Sequence, residues 1–206
     1  MYLYNQIEVK NMSTEKKQIR KKIKKELLHL SDDSKNKASQ KICLHIEQLV
    51  KKLPTHTENV KVATYAAHQN EASLMLLHLS DLKIQLYYPK CLADHSLQFY
   101  HIKNTNELTP GKYGILEPNQ NTHSIKSLSD VDLILCPGVA FTHLGQRLGQ
   151  GGGYYDRSLA GIKSNHQPII AGIALEQQIL PLLPAEQHDI QMDYIITEER
   201  LHQCHS

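Results

Sequence analysis

The stretch from Val131 to Arg157 constrains this chain more than any other. A mostly apolar run, 131–136, meets Pro137-Gly138 and then a loop in which five of the protein's ten glycines fall between Gly145 and Gly153, around the single arginine Arg147. The loop ends in Tyr154-Tyr155-Asp156-Arg157, where a helix could begin. Glycine lacks a Cβ, so its backbone can turn with positive φ and approach a ligand closely. An apolar strand followed by such a loop is how an α/β protein aims successive backbone N–H groups at an anion. Neither common phosphate fingerprint is present. No Gly-Lys-Ser/Thr occurs, and reading Gly-x-Gly-x-x-Gly from Gly149 places Tyr154 where the third glycine belongs. A flexible surface loop is the competing reading. Arg147 and the paired tyrosines favour ligand binding over it.

The rest of the chain alternates short apolar runs with helical periodicity. Ile19, Ile23, Leu27 and Leu30 recur at helical spacing and predict a helix over 13–30, with Ser13 or Thr14 as its cap. A second helix is expected over 34–53, ending before Pro54, and a third over 71–82. Strands are expected at 60–66, 83–88 (closed by Pro89), 97–102, 131–136, 168–175 and 194–197, with a short helix reaching Leu180. The 131–136 run is the candidate central strand. Strands alternating with helices predict an α/β fold of three layers: a mostly parallel, Rossmann-like sheet with helices on both faces. Ligands of such sheets bind at the C-terminal strand ends, where the glycine loop departs. At 206 residues, with no internal repeat or linker, the chain is expected to form one domain over 1–206.

Charge is nearly balanced, at net +2, but seven cations crowd 16–25: Lys16, Lys17, Arg20, Lys21, Lys22, Lys24 and Lys25. Most belong to a solvated helix face. Lys16 and Arg20, four residues apart, share a face beside the Ile19/Ile23 row and could reach a nucleotide's phosphates. A nucleic-acid role would also use such charges. No recognition motif accompanies them, and the chain has two Phe and no Trp, so no nucleic-acid partner is expected. No apolar run approaches the roughly 20 residues a membrane span needs, so no membrane partner is expected. The four cysteines, Cys43, Cys91, Cys136 and Cys204, form no Cys-x-x-Cys pair and read as free thiols in a cytoplasmic protein. The thirteen histidines make no metal motif. His143 and His188 read as surface or hydrogen-bonding residues rather than ligands, and His202-Gln203-Cys204-His205 as a solvated tail.

Several motifs, in order, carry a resemblance that runs from about Lys16 to about Glu199. The most specific are Pro137-Gly138-Val139-Ala140-Phe141, Gly145-Gln146-Arg147-Leu148-Gly149 and Gly151-Gly152-Gly153-Tyr154-Tyr155-Asp156-Arg157. Lys16/Arg20, Asn70-Glu71 opening a helix, Lys112-Tyr113-Gly114-Ile115-Leu116-Glu117-Pro118, and the close from Leu183 through Asp189 to Glu198 support them. Together they resemble the 5-formyltetrahydrofolate cyclo-ligase (5,10-methenyltetrahydrofolate synthetase) family. Thr142 departs from a position where that family commonly has Asp, and 1–11 have no counterpart in the pattern, as an upstream extension would.

The resemblance implies closure of 5-formyltetrahydrofolate to 5,10-methenyltetrahydrofolate, driven by ATP with Mg²⁺, through a phosphorylated formyl oxygen. It implies that Lys16, Arg20, Arg147, Gly149, Gly151, Gly152, Gly153, Tyr154 and Tyr155 bind ATP. Arg147 and Tyr154 are then catalytic, Glu71 and Tyr154 contact folate, and Asp156 and Asp189 hold the metal. A monomer is expected. A nucleotide sensor on the same sheet is the rival from another class.

Overall fold

The computed structural model describes residues 2–54, 59–119, 127–160, 162, 168–184 and 189–204, with side chains from Met12 onward. Helix α1 (Tyr2–Leu27) and helix α2 (Asp32–Val50) come first, followed by β1 (Val60–Ala63), β2 (Ile84–Cys91) and β3 (Leu97–His101). A hairpin of β4 (Leu108–Pro110) and β5 (Leu116–Pro118) precedes β6 (Leu133–Pro137). Two short strands, β7 (Ala140–Phe141) and β8 (Arg147–Leu148), then lead to α3 (Tyr154–Ala160). β9 (Ile169–Ile173), β10 (Tyr194–Ile196) and β11 (Leu201–Gln203) complete the order.

Seven strands form one sheet in the order β11-β10-β9-β6-β1-β2-β3, parallel except at its two edges, so β6 is central as its sequence predicts. Alternate residues of β6 feed two cores, because successive side chains of a strand point to opposite faces. Leu133 and Leu135 pack with Ile23, Leu27, Ile42, Ile46 and Leu49 of α1 and α2. Ile134 and Cys136 pack with Leu159 of α3, Phe99 and Phe141 on the opposite face. Asp132, just before this strand, accepts from the Lys61 backbone N–H at 2.8 Å and joins β6 to β1 at their start. From β1 the chain winds outward through β2, and from β6 it winds the other way through β9 and β10. The reversal makes the carboxyl ends of β1 and β6 a topological switch point, where sheets of this kind bind ligands.

Several elements differ from their sequence-based expectation. α1 is already helical from Tyr2, so Ser13 and Thr14 lie inside it rather than capping it. α2 is capped by Ser31, whose Oγ accepts from Ser34 N at 3.2 Å. The helix expected over 71–82, with Asn70-Glu71 opening it, is only a 3-10 segment at Met75–Leu79. Residues 71–73 are recruited elsewhere. Tyr65 Oη donates to Ala72 O at 2.9 Å, Ser73 N donates to Ser39 Oγ at 3.0 Å, and Gln69 turns with φ 49°. β2 runs through Pro89, which pairs with Phe99 beyond the end of β1, so its missing N–H leaves no ladder bond unmade. His202 and Gln203 are not a solvated tail: they lie on β11, antiparallel to β10. His188 and His205 fall outside the described residues.

Candidate active site

The loop that leaves β6 is braced before it reaches its glycines. Phe141 is fully buried, with its ring slotted between two glycines. A Cβ at Gly138 or at Gly172 would come within 2.5 Å of that ring. Buried Gln178 donates through Nε2 to Gly138 O at 2.8 Å and Val139 O at 3.0 Å. Thr142 closes the following turn: its Oγ1 accepts from Gln146 N at 3.2 Å and its N–H donates to Gln146 O at 3.1 Å. Thr142 is therefore a buried structural residue here. β7 and β8 pair Phe141 with Arg147, so the brace fixes where the arginine starts.

Arg147 carries a charge that is only 5% exposed. Its guanidinium donates to Pro137 O at 3.3 Å, pairs with Asp156 Oδ1, and lies 5.6 Å from the Tyr155 ring centroid. A planar fork can serve these partners at once, whereas an ammonium cannot. Asp156 therefore pairs with Arg147, while Arg157 folds back onto the carbonyl oxygens of Gly152 and His95. A Cβ at Gly149 would sit 3.0 Å from the Arg147 guanidinium. Arg20 crosses from α1 and donates Nε to Gly149 O at 2.8 Å, and burial pulls its pKa down. Gly151 (φ +100°) and Gly153 (φ +68°) adopt a backbone that a side chain would strain. Lys16 also turns inward, with Nζ 3.7 Å from Asp189 Oδ2. Of the sequence-predicted pair, Arg20 thus meets the glycine loop, while Lys16 faces Asp189.

At the far end of the loop, Tyr154 Oη accepts from Lys112 Nζ at 3.0 Å and lies 3.4 Å from Tyr113 Oη. The contacts with Tyr113 and then Lys112 pull the Tyr154 pKa down, and the contact with Tyr154 raises that of Lys112. Lys112 and Tyr113 form the tip of the β4–β5 hairpin, with Tyr113 and Gly114 both at positive φ (60° and 73°). Neither residue is marked by type or spacing as part of a site. Their only signal was the Lys112–Pro118 motif.

Glu71 lies close enough to the loop for its charge to act on the Tyr155 hydroxyl. Its Oε2 accepts from His68 N at 3.0 Å, and burial pushes its carboxyl up to about 7. Burial and then the Glu71 charge raise the hydroxyl pKa of Tyr65, and both also act on that of Tyr155. Tyr155 Oη and Thr64 Oγ1 are buried and bond to no described group. Because Glu71 binds its proton more tightly in the native state than at its ordinary 4.5, stability should fall as pH rises from about 4.5 to about 7. The loss should be on the order of 3 kcal/mol at most and absent from Glu71→Gln. Urea unfolding of both proteins at pH 5 and pH 8 checks this. An equal change in the two would contradict it.

Among the described residues no three His, Cys, Asp or Glu side chains gather as a metal cluster. Asp156 and Asp189 are 43% and 26% exposed and each faces a cation. Mg²⁺ keeps several waters and uses one or two carboxylates beside substrate phosphates, so such accessible carboxylates suit it.

Comparisons with known proteins point to one family. The model of the 5-formyltetrahydrofolate cyclo-ligase family matches residues 12–198. A probable 5-formyltetrahydrofolate cyclo-ligase of Schizosaccharomyces pombe is 30% identical over 205 residues, covering 92% of this chain and 98% of its own. The 5-formyltetrahydrofolate cyclo-ligase of Haemophilus influenzae is 29% identical over 184 residues, covering 87% and 96%. Among solved structures, the 5,10-methenyltetrahydrofolate synthetase of Aquifex aeolicus superposes with a TM-score of 0.76 at 31% identity, covering 93% of each chain.

Proposed function

This chain belongs to the 5-formyltetrahydrofolate cyclo-ligase family, and from that premise we propose that it closes 5-formyltetrahydrofolate to 5,10-methenyltetrahydrofolate at the expense of ATP, releasing ADP and phosphate. The observation that supports this most is the convergence of Arg20 and Arg147 on the 149–153 glycines, in the loop that follows β6.

The chemical obstacle is the formyl oxygen, an amide oxygen that leaves poorly. In the proposed sequence it attacks the γ-phosphorus of ATP, and ADP departs with the electron pair of the broken P–O bond. The N10 lone pair then adds to the formyl carbon and the N10 proton passes to solvent. The C–O bond breaks with its electrons going to phosphate, which leaves the N5–CH–N10 amidinium cation. The protein's task is positioning and charge stabilisation. The amides of Gly149, Gly151, Gly152 and Gly153 hold phosphate oxygens. Arg147 spreads charge over the transferring group, with Lys16 and Arg20 reaching the phosphates from α1. Tyr155 packs under Arg147 beside the nucleotide. Tyr154 faces the formyl end and Glu71 hydrogen-bonds the folate. Asp156 and Asp189 would hold Mg²⁺, which when bound neutralises phosphate charge. We place the enzyme in the cytoplasm as a monomer, in keeping with its four unbridged cysteines, and assign it no nucleic-acid or membrane partner. No described helix is long and apolar enough to cross a membrane.

Substrate carrying ¹⁸O in the formyl group tests the route. The label should appear in released phosphate, whereas label found only in water would contradict phosphoryl transfer to that oxygen. Arg20→Ala should raise the KM for ATP roughly tenfold and weaken its dependence on salt, because a charge-assisted contact is lost. Steady-state kinetics at two ionic strengths check this, and an unchanged KM would remove Arg20 from the nucleotide site.

A further inference from the structure

We propose that Lys112, at the tip of the β4–β5 hairpin, is a positioning residue for the reaction, committing the Tyr154 hydroxyl to donate into the site. This rests on the proposed function and adds a residue to it. An ammonium has three donors and no acceptor, so the 3.0 Å contact can run only from Lys112 Nζ to Tyr154 Oη. With a lone pair of Tyr154 Oη occupied, its own hydrogen must point elsewhere. One candidate acceptor is Tyr113 Oη, at a long 3.4 Å. The other is an oxygen of a bound substrate.

Lys112 also lies 5.7 Å from the Tyr154 ring centroid and 5.2 Å from that of Tyr113, so its charge is held between the two rings. The tip is shaped for this contact. Tyr113 keeps φ at 60°, a conformation that costs energy for a residue with a side chain. On the opposite side, the His95 ring lies 5.2 Å from the Tyr154 ring, and Ser158 Oγ donates to Tyr154 O at 2.8 Å. The phenol is therefore held from the hairpin and from the β2–β3 turn, while the Ser158 bond anchors its backbone in α3. A donor fixed before the substrate arrives stabilises charge on the formyl or phosphate oxygen without reorganising during the reaction.

Lys112 is exposed, so its substitution leaves the core untouched. Lys112→Met should lower kcat roughly tenfold or more while leaving the KM for ATP within about twofold. Lys112→Arg should restore much of the loss. Lys112→Met should cost little in a Tyr154→Phe background, because Lys112 acts only through the Tyr154 hydroxyl. Wild-type kinetics in Lys112→Met, or fully additive losses in the double variant, would overturn the inference. Absence of methenyl product from wild-type enzyme would instead defeat the proposed function, so the two failures are distinguishable.

Discussion

Arg147→Ala should reduce turnover by on the order of a hundredfold or more while the protein stays folded. The guanidinium is almost wholly withdrawn from water, yet its anionic partner Asp156 is 43% exposed. Truncation leaves a carboxylate that water can solvate rather than a buried orphan charge, so the loss of stability is limited. What disappears is a cation fixed by Pro137 O, by Asp156 and by the Tyr155 ring beside the glycine loop. Arg147→Lys should recover only part of the activity, because an ammonium cannot span both the carbonyl and the carboxylate. Turnover of purified variants, with far-UV circular dichroism to confirm folding, checks this. Near-wild-type turnover in a folded Arg147→Ala protein would remove the residue from the chemistry.

The largest effect on stability is expected at Phe141. Phe141→Ala should cost about 3–5 kcal/mol, a large part of the roughly 5–15 kcal/mol that holds a typical domain together. The ring fills a slot whose walls are Gly138 and Gly172, and backbone on both sides cannot collapse into the space left behind. Gly172→Ala approaches the same contact from the other side and should be destabilising by overpacking, since its Cβ would lie 2.5 Å from the ring and 2.9 Å from Ile195. Because Phe141 pairs with Arg147 across β7 and β8, loosening the slot should also depress turnover before the protein unfolds. Denaturant midpoints measured alongside activity test this coupling, and a loss below about 1 kcal/mol in Phe141→Ala would contradict the packing account.

The elements most legible in the sequence are those with apolar residues at a single period. β6 is apolar on both faces because it is covered on both, and the α1 stripe of Ile19, Ile23 and Leu27 faces the core. The 71–82 segment misled because Leu74 and Leu77 keep helical spacing, while Tyr65 and Ser39, distant or on another element, take its backbone groups. No local pattern could reveal those bonds. β11 was illegible for a related reason: three residues have no period, and Leu201 is recruited by β10. At the site, the glycine loop and the Lys16/Arg20 pair stand out in the sequence by residue type and spacing, and the structure brings Arg20 onto Gly149. Lys112 and Tyr113 do not stand out, because the β4–β5 hairpin carries them to Tyr154 from 42 and 41 residues upstream. The partner of Asp156 also depended on tertiary structure. Arg157 is its neighbour in sequence, but β8 delivers Arg147 instead.

The central claim is an ATP-driven ring closure of formylated folate at the glycine loop. The most direct measurement combines purified full-length protein with 5-formyltetrahydrofolate and Mg-ATP, following methenyl product by absorbance and ADP by a coupled assay. The account predicts methenyl product that requires ATP, with one ADP formed per product. Well-folded protein that yields no methenyl product, or yields it equally without ATP, would contradict it.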